Sequence, residues 1–193
     1  MIHKLLQGKK VVLASASPRR RQIFKQLGLK VLHKQADIDE TIVTTNPRQY
    51  VMKISERKAR AAALAMDVEC VVIAADTIVY IDKKILSKPK DRFQAADYLT
   101  YLSGKTHHVY TGVAISYKRK CVSGFEKTAV TFNDLSAQEI SDYLETSEPD
   151  DKAGGYGIQG YGSQFIKKIH GCYFNVMGFP VSKFYEMLKD RGF

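Results

Sequence analysis

The sequence has few cysteines and no long apolar run. Its three cysteines, Cys70, Cys121 and Cys172, are far apart, and none belongs to a C-x-x-C pair, which argues against both a disulfide framework and a zinc knuckle. No apolar segment approaches the roughly 20 residues that a membrane-spanning helix needs, and the N-terminus lacks the apolar core of a signal peptide. We therefore expect reduced thiols, a cytoplasmic location and no membrane partner.

The sequence also lacks a histidine motif for metal binding. Of its five histidines, His107 and His108 are adjacent in a predicted strand. Adjacent side chains in a strand point to opposite faces, so we do not expect these two rings to converge on one ion.

Positive charge is in excess but is spread along the whole chain. The formal net charge of +10 and the pI of about 9.4 are compatible with nucleic-acid binding. However, no block of about five or six like charges occurs, and the chain has no zinc-finger spacing or RNA-binding signature. We therefore expect no nucleic-acid partner, and a site for a small polyanion accounts for part of the excess charge.

The pattern of strands and helices predicts an α/β fold. The chain has 193 residues, 45% of them hydrophobic, which is enough to bury a substantial core. We therefore expect a single domain spanning residues 1–193, either undivided or formed of two lobes that share a cleft. Predicted strands lie at 10–14, 30–35, 70–74 with a continuation at 77–81, 107–117, 121–132 and 163–169; predicted helices lie at 18–27, 47–66, 91–103, 136–146 and 180–189. Strands that alternate with helices in the first half, followed by a long antiparallel hairpin, predict a mixed, strongly twisted sheet with flanking helices.

Residues 15–21 form a polar turn and a basic helix start. Ser17 is placed to cap the helix, and Pro18 suits its first position because proline has no N–H to lose. Three arginines follow at positions 19–21, although the dipole of a helix disfavours cations at its N-terminus. Free backbone N–H groups at such a terminus attract anions, so this turn predicts a site for a phosphorylated ligand.

Isolated charged residues elsewhere could belong to a functional site or could have an ordinary structural or surface role. Asp76 directly follows a strongly apolar stretch, where a carboxylate can bind a metal or act as a base, or can simply cap a turn. Lys88 is held in extended geometry before a proline but resembles an ordinary surface lysine. Lys58 on a helix and Glu40 in an acidic loop each resemble solvated surface charges.

The segment 151–162 is rich in glycine. Five glycines occur within nine residues, which is entropically costly and allows a backbone to approach a ligand closely, although a purely structural loop is the alternative. No G-K-[ST] follows, so the segment is not a P-loop. Tyr156 could pack or stack, and the amide of Gln159 offers a donor and an acceptor suited to the edge of a base.

These segments, in this order, resemble the Maf family of nucleoside triphosphate pyrophosphatases. The matching motifs are Ser15-x-Ser17-Pro18-Arg19-Arg20, Lys58-Ala59, Ala75-Asp76-Thr77, Lys88-Pro89, Leu102-Ser103-Gly104, Thr111-Gly112-Val113, Asp151-Lys152-Ala153-Gly154, Tyr156-Gly157-Ile158-Gln159 and Asn175-Val176-x-Gly178-x-Pro180. The resemblance implies an inosine-triphosphatase-like α/β fold, with two lobes around a cleft, and a homodimer. It also implies hydrolysis of a nucleoside triphosphate to the monophosphate and pyrophosphate with a divalent metal, Mg²⁺ or Mn²⁺, with the removal of non-canonical nucleotides as one purpose.

The resemblance also assigns roles to individual residues. Arg19, Thr77 and Gln159 match the specificity positions of the branch that acts on dTTP and UTP. Asp76 matches the proposed general base of the family. We expect Asp76 and Glu40 to bind the divalent metal. Ser15, Ser17, Arg20, Lys58 and Lys88, together with Arg19, are expected to hold the phosphates. Arg21 lies outside the match and is expected to face solvent.

Two alternatives remain at the level of the sequence. One is a pyrophosphatase for another nucleotide, such as 7-methyl-GTP or CTP, and the other is a non-enzymatic nucleic-acid-binding regulator of septum formation and cell division. A regulator that only contacts phosphates has no need of Asp76, since a carboxylate beside bound phosphates is repelled unless a metal is present.

Overall fold

The computed structural model describes all residues from 1 to 193. The strands are β1 Val11–Leu13, β2 Leu32–His33, β3 Val71–Ile81, β4 Lys84–Leu86, β5 Thr106–Tyr117, β6 Lys120–Phe132 and β7 Ile166–His170. The α-helices are α1 Ile2–Leu5, α2 Pro18–Gln26, α3 Pro47–Leu64, α4 Arg92–Leu102, α5 Ala137–Leu144, α6 Tyr173–Val176 and α7 Val181–Asp190, and short 3₁₀ helices span Pro149–Asp151, Ala153–Gly155 and Gly160–Phe165.

The strands form one mixed seven-stranded sheet, as the sequence predicts. Their order is β2-β1-β3-β5-β6-β7, and β4 pairs with β3 outside that path. β1 runs parallel to both β2 and β3, whereas the pairs β3–β4 and β6–β7 are antiparallel. The α/β fold class with a mixed sheet is therefore confirmed.

The chain divides into two compact units. The first comprises residues 1–76, 111–126 and 178–193, and the second comprises residues 77–110 and 127–177. β3, β5 and β6 each contribute residues to both units. The first unit buries Val12, Val72 and Ala114 among others, and the second buries Leu99, Val109, Phe132 and Phe165 among others. The single domain expected for residues 1–193 stays a prediction.

Helix and hairpin ends follow from local signals in the sequence. The side chain of Asn46 accepts hydrogen bonds from the backbone N–H groups of Arg48 and Gln49 at the start of α3. Ser136 and Glu139 form a complete capping box at α5, with the Ser-x-x-Glu spacing that this motif requires. Positive φ values at Asp82 and Lys83, and at Lys118 and Arg119, suit the tight hairpin turns after β3 and β5.

Three local predictions need correction. Ser17 occupies the N-cap position of α2 but makes no side-chain capping bond, and its own backbone N–H instead donates to Ser15 Oγ at 3.2 Å. The predicted strand 163–169 begins only at Ile166, because residues 160–165 form a 3₁₀ helix. The predicted strand 30–35 is reduced to two residues.

Asp76 lies inside a strand rather than after one. β3 is continuous from Val71 to Ile81, and Asp76 is buried in it between Ala75 and Thr77. The prediction that the apolar strand stops at Asp76 is therefore wrong, because the β-branched residues that follow extend the same strand. The carboxylate is therefore presented from within the sheet.

Two expectations drawn from absent motifs can be compared with the structure. All three cysteines are free, and His107 is buried whereas its neighbour His108 is partly exposed, as expected for adjacent residues of a strand. None of the helices combines the length and the hydropathy needed to cross a membrane.

Candidate active site

A lysine between two carboxylates forms the centre of the candidate site in the first unit. Lys58 Nζ, from α3, lies 2.8 Å from Asp76 Oδ1 on β3 and 2.9 Å from Glu40 Oε1 in the loop before α3. The side chains of Lys58 and Asp76 are 15% and 12% exposed, whereas that of Glu40 is 54% exposed. One ammonium group therefore contacts a buried and an open carboxylate at once and offsets one of their two negative charges.

Asp76 experiences opposing electrostatic effects. Its burial raises the pKa of the carboxyl group, since water no longer solvates the charged form. The charge and hydrogen bond of Lys58, and then the charge of Arg20, oppose that rise, whereas Glu40 adds to it. The outcome is a pKa above the ordinary value, which favours a role in accepting a proton.

Arg20 on α2 is held by two hydrogen bonds at the candidate site. Its Nε donates to the carbonyl oxygen of Gly178 at 2.7 Å, and its Nη1 donates to Ser15 Oγ at 3.1 Å. Burial lowers the pKa of Arg20 to about 10, with the charges of Asp76 and Glu40 opposing that effect. The guanidinium therefore stays charged at neutral pH, while Arg21 is exposed as expected.

Two residues of α3 near this site were not identified from the sequence. Arg57 Nη1 donates to the carbonyl oxygens of Asp39 at 3.1 Å and of Thr41 at 3.0 Å, so it holds the backbone on both sides of Glu40. Burial, and then the charges of Asp76 and Glu40, raise the pKa of Tyr50. No sequence signal separates Arg57 from its charged neighbours.

The predicted site residues are divided between the two units. Ser15, Ser17, Arg19, Arg20, Glu40, Lys58 and Asp76 belong to the first unit, and Thr77, Lys88 and Gln159 belong to the second. Thr77 follows Asp76 directly on β3, Lys88 is exposed beyond β4, and Gln159 is partly buried before the 3₁₀ helix Gly160–Phe165. Hydrogen bonds, ion pairs or direct charge effects link Ser15, Arg20, Glu40, Lys58 and Asp76. The roles assigned to all these residues stay predictions.

Several glycines of the segment 151–162 pack closely against side chains or backbone of neighbouring residues, which leaves no room for a Cβ atom. A Cβ atom added at Gly154 would lie 2.8 Å from Val79 Cγ2, and one at Gly162 would lie 2.6 Å from the carbonyl oxygen of Gly157. At Gly157 and Gly160 the added Cβ would meet Glu148, at 3.0 Å and 2.5 Å respectively. These contacts favour the structural interpretation of the glycines over close approach to a ligand.

Tyr156 packs inside the second unit. It is 5% exposed, its hydroxyl lies 2.6 Å from His107 Nε2, and its ring meets that of Phe132 edge-on at 4.7 Å between centroids. Burial raises its pKa far above the ordinary value, so the hydroxyl stays protonated. Of the two predicted roles for Tyr156, packing is the one observed.

The carboxylates present fit a metal that is shared with a substrate. No cluster of three or more histidine, cysteine, aspartate and glutamate side chains that could hold a metal occurs in the structure, whereas Asp76 and Glu40 are both within reach of one ammonium group. Mg²⁺ is commonly bound by one or two carboxylates together with phosphate oxygens and water. Two protein carboxylates therefore suffice, provided that phosphates complete the coordination.

Comparisons with known proteins agree over almost the whole chain. Residues 10–191 match the family model described as Maf-like protein. The chain is 46% identical over 182 residues to the "dTTP/UTP pyrophosphatase" of Thermoanaerobacter sp. (strain X514), an alignment that covers 93% of this chain and 95% of the relative. It is 43% identical over 188 residues to the protein of the same name from Clostridium kluyveri (strain ATCC 8527 / DSM 555 / NBRC 12016 / NCIMB 10680 / K1), covering 95% and 98% of the two chains.

The fold also resembles that of a solved structure. The Staphylococcus aureus Ham1 protein superposes with a TM-score of 0.54 and 18% identity, and the match covers 82% of this chain and 80% of that one. At this identity the likeness concerns the fold alone, and it supports the α/β architecture described above.

Proposed function

Because this chain belongs to the Maf family, we propose that it is a hydrolase that converts dTTP and UTP to the nucleoside monophosphate and pyrophosphate. The observation that carries the proposal is the 46% identity, over 93% of the chain, to a relative named dTTP/UTP pyrophosphatase. The cluster of Arg20, Lys58, Asp76 and Glu40 supports it, since cations beside a buried carboxylate suit a phosphorylated substrate and its hydrolysis.

In the proposed reaction, water attacks the α-phosphorus, the bond to the bridging oxygen breaks, and pyrophosphate leaves. Asp76 either activates the water by accepting its proton or positions the water for attack. Burial of Asp76 in β3 limits the geometries that its carboxylate can adopt, and Lys58 holds one of its oxygens. Fixed geometry of this kind lowers the entropic part of the barrier.

The basic residues hold the triphosphate in this proposal. Arg20 and Lys58 are already fixed by hydrogen bonds and ion pairs, so little side-chain entropy is lost when phosphates bind. Ser15, Ser17 and Lys88 contribute further contacts to the phosphates, and Arg19, Thr77 and Gln159 select the pyrimidine nucleotide. Stabilisation of the departing pyrophosphate by cations favours bond cleavage.

A divalent cation, Mg²⁺ or Mn²⁺, belongs to the same proposal. Asp76 and Glu40 would hold it together with phosphate oxygens, where it would offset the negative charge of the triphosphate. In the protein alone, Lys58 supplies the positive charge between these two carboxylates. We further propose that the protein is a homodimer located in the cytoplasm. The three free cysteines support a reducing compartment such as the cytoplasm. Light scattering tests whether the protein is a dimer.

Pyrophosphate release from a panel of triphosphates tests the proposed function. The panel comprises dTTP, UTP, CTP, 7-methyl-GTP and ITP, each with Mg²⁺, with Mn²⁺ and with a chelator. We expect metal-dependent turnover that is highest with dTTP and UTP. Lack of turnover on both would refute the proposal, and faster turnover of 7-methyl-GTP or CTP would favour the alternative substrates.

A further inference from the structure

Glu148 organises the backbone that follows Gln159. In the second unit, Glu148 Oε2 accepts a hydrogen bond from the backbone N–H of Tyr161 at 2.8 Å. Glu148 Oε1 accepts from the backbone N–H of Gly162 at 3.1 Å and from the hydroxyl of Tyr143 at 3.2 Å. One partly buried carboxylate therefore has three donors, two of them from the segment directly after Gln159.

Two glycines near Gln159 leave room for this carboxylate: Gly160 directly follows Gln159, and Gly157 lies two residues before it. A Cβ atom added at Gly160 would lie 2.5 Å from Glu148 Oε2, and one added at Gly157 would lie 3.0 Å from Glu148 Oε1. Gly160 also has φ of +74°, a conformation that glycine adopts at little cost. The chain on either side of Gln159 is thus shaped around the Glu148 side chain.

Glu148 is itself held in place. Lys152 Nζ donates to the backbone carbonyl oxygen of Glu148 at 2.6 Å and to Asp151 Oδ1 at 2.7 Å. Pro149, which follows Glu148, begins a 3₁₀ helix and has a restricted φ. The carboxylate is therefore presented from a constrained backbone, as a positioning group requires.

We propose that Glu148 is a positioning residue that fixes Gln159 and thereby sets the choice of pyrimidine base. The inference rests on the proposed function, in which the amide of Gln159 contacts the base. An ionised carboxylate has only acceptors, so it satisfies the N–H groups of Tyr161 and Gly162 together. A glutamine at position 148 would turn an NH₂ donor toward one of them, and the segment that carries Gln159 would lose an anchor.

The E148Q variant tests the proposal, with E145Q as a matched control. Glu145 is an exposed glutamate at the end of α5, so its substitution removes one negative charge nearby without touching the loop. Kinetics with UTP and CTP give the selectivity as the ratio of kcat/KM values. Loss of a hydrogen bond to a charged group predicts that E148Q lowers the preference for UTP about tenfold, mainly through a higher KM for UTP, with kcat within about twofold of wild type. E145Q should keep the selectivity of the wild type.

A double-mutant cycle with Gln159→Ala separates positioning from general damage to the fold. If Glu148 acts through Gln159, E148Q lowers selectivity in the wild type but adds no further loss in the Q159A background. Equal losses in both backgrounds, or unchanged selectivity of E148Q, would overturn the proposal. If circular dichroism shows that E148Q is unfolded, E148D, which shortens the side chain by one methylene, replaces it in the same cycle.

The wild-type assay distinguishes failure of this inference from failure of the proposed function. A wild type without turnover of dTTP or UTP would refute the proposed function before any variant is compared. A wild type that prefers UTP to CTP, together with an E148Q variant of the same preference, would refute the role of Glu148 alone.

Discussion

Lowering the pH should destabilise this protein through His107. Its ring is fully buried on β5, with Nε2 at 2.6 Å from the Tyr156 hydroxyl and Nδ1 without a hydrogen-bond partner. Burial, and then the charge of His108, lower the pKa of His107 from its ordinary value of 6.5 to about 3. The native state therefore keeps this ring neutral at a pH where the unfolded chain protonates it.

The sign and size of the effect follow from proton linkage. Between pH 6.5 and about 3 the unfolded state binds the extra proton, so the free energy of unfolding falls as the pH falls. The loss approaches about 1.4 kcal/mol for each pH unit. From pH 7.5 to pH 5.0 it amounts to about 2 kcal/mol from this histidine alone.

Urea unfolding followed by circular dichroism at pH 7.5 and 5.0 measures the effect. The H107F/Y156F double variant removes both hydrogen-bonding partners while keeping two rings, so it should fold with a free energy of unfolding near that of the wild type at pH 7.5. Between the two pH values it should lose about 2 kcal/mol less than the wild type. H33Q, which removes an exposed histidine, serves as the control. Equal losses in the wild type and the double variant would show that His107 is not held neutral by burial.

Further predictions concern the candidate site and one glycine. D76N should lower kcat by about 10²-fold or more while calorimetry still detects dTTP binding; full turnover would remove Asp76 from its proposed role. K58M should lower the free energy of unfolding by about 3 kcal/mol, since a buried carboxylate loses its cation, whereas K118M, which breaks an exposed pair, should leave it close to the wild-type value. G112A forces a Cβ onto the backbone of α3 and should cost about 3 kcal/mol, against about 1 kcal/mol for G8A, which has a positive φ but open space. Urea titrations of these pairs decide both comparisons.

Helix ends and hairpins were predictable because their signals act over a few residues. The helices predicted from 47 and 136 begin at the caps Asn46 and Ser136, and the turn at Lys118-Arg119 joins the two strands predicted on either side of it. Ser17 is an exception at the level of the side chain. The hydroxyl of Ser15 accepts both the N–H of Ser17 and an N–H of Arg20, an arrangement that depends on how the whole turn folds.

The candidate site was only partly predictable. The motifs and the family resemblance identified Glu40, Lys58 and Asp76 as single residues, and the structure shows the ion pairs between them. Arg57 and Glu148 were missed because each looks like an ordinary surface charge in the sequence. Their partners are backbone groups, at 13 to 18 positions away in the chain, and no side-chain pattern marks a backbone acceptor or donor.

The sequence by itself determined the family, the α/β class and the chemistry of the candidate groups, because motif residues and periodic apolar residues are visible one segment at a time. Only the tertiary structure decided that Asp76 lies within an unbroken strand, that Lys58 joins two carboxylates, and that Gly157 and Gly160 lie against Glu148. The physical reason is distance along the chain. Burial, ion pairing and close packing depend on segments far apart in sequence, and their geometry exists only once the chain has folded.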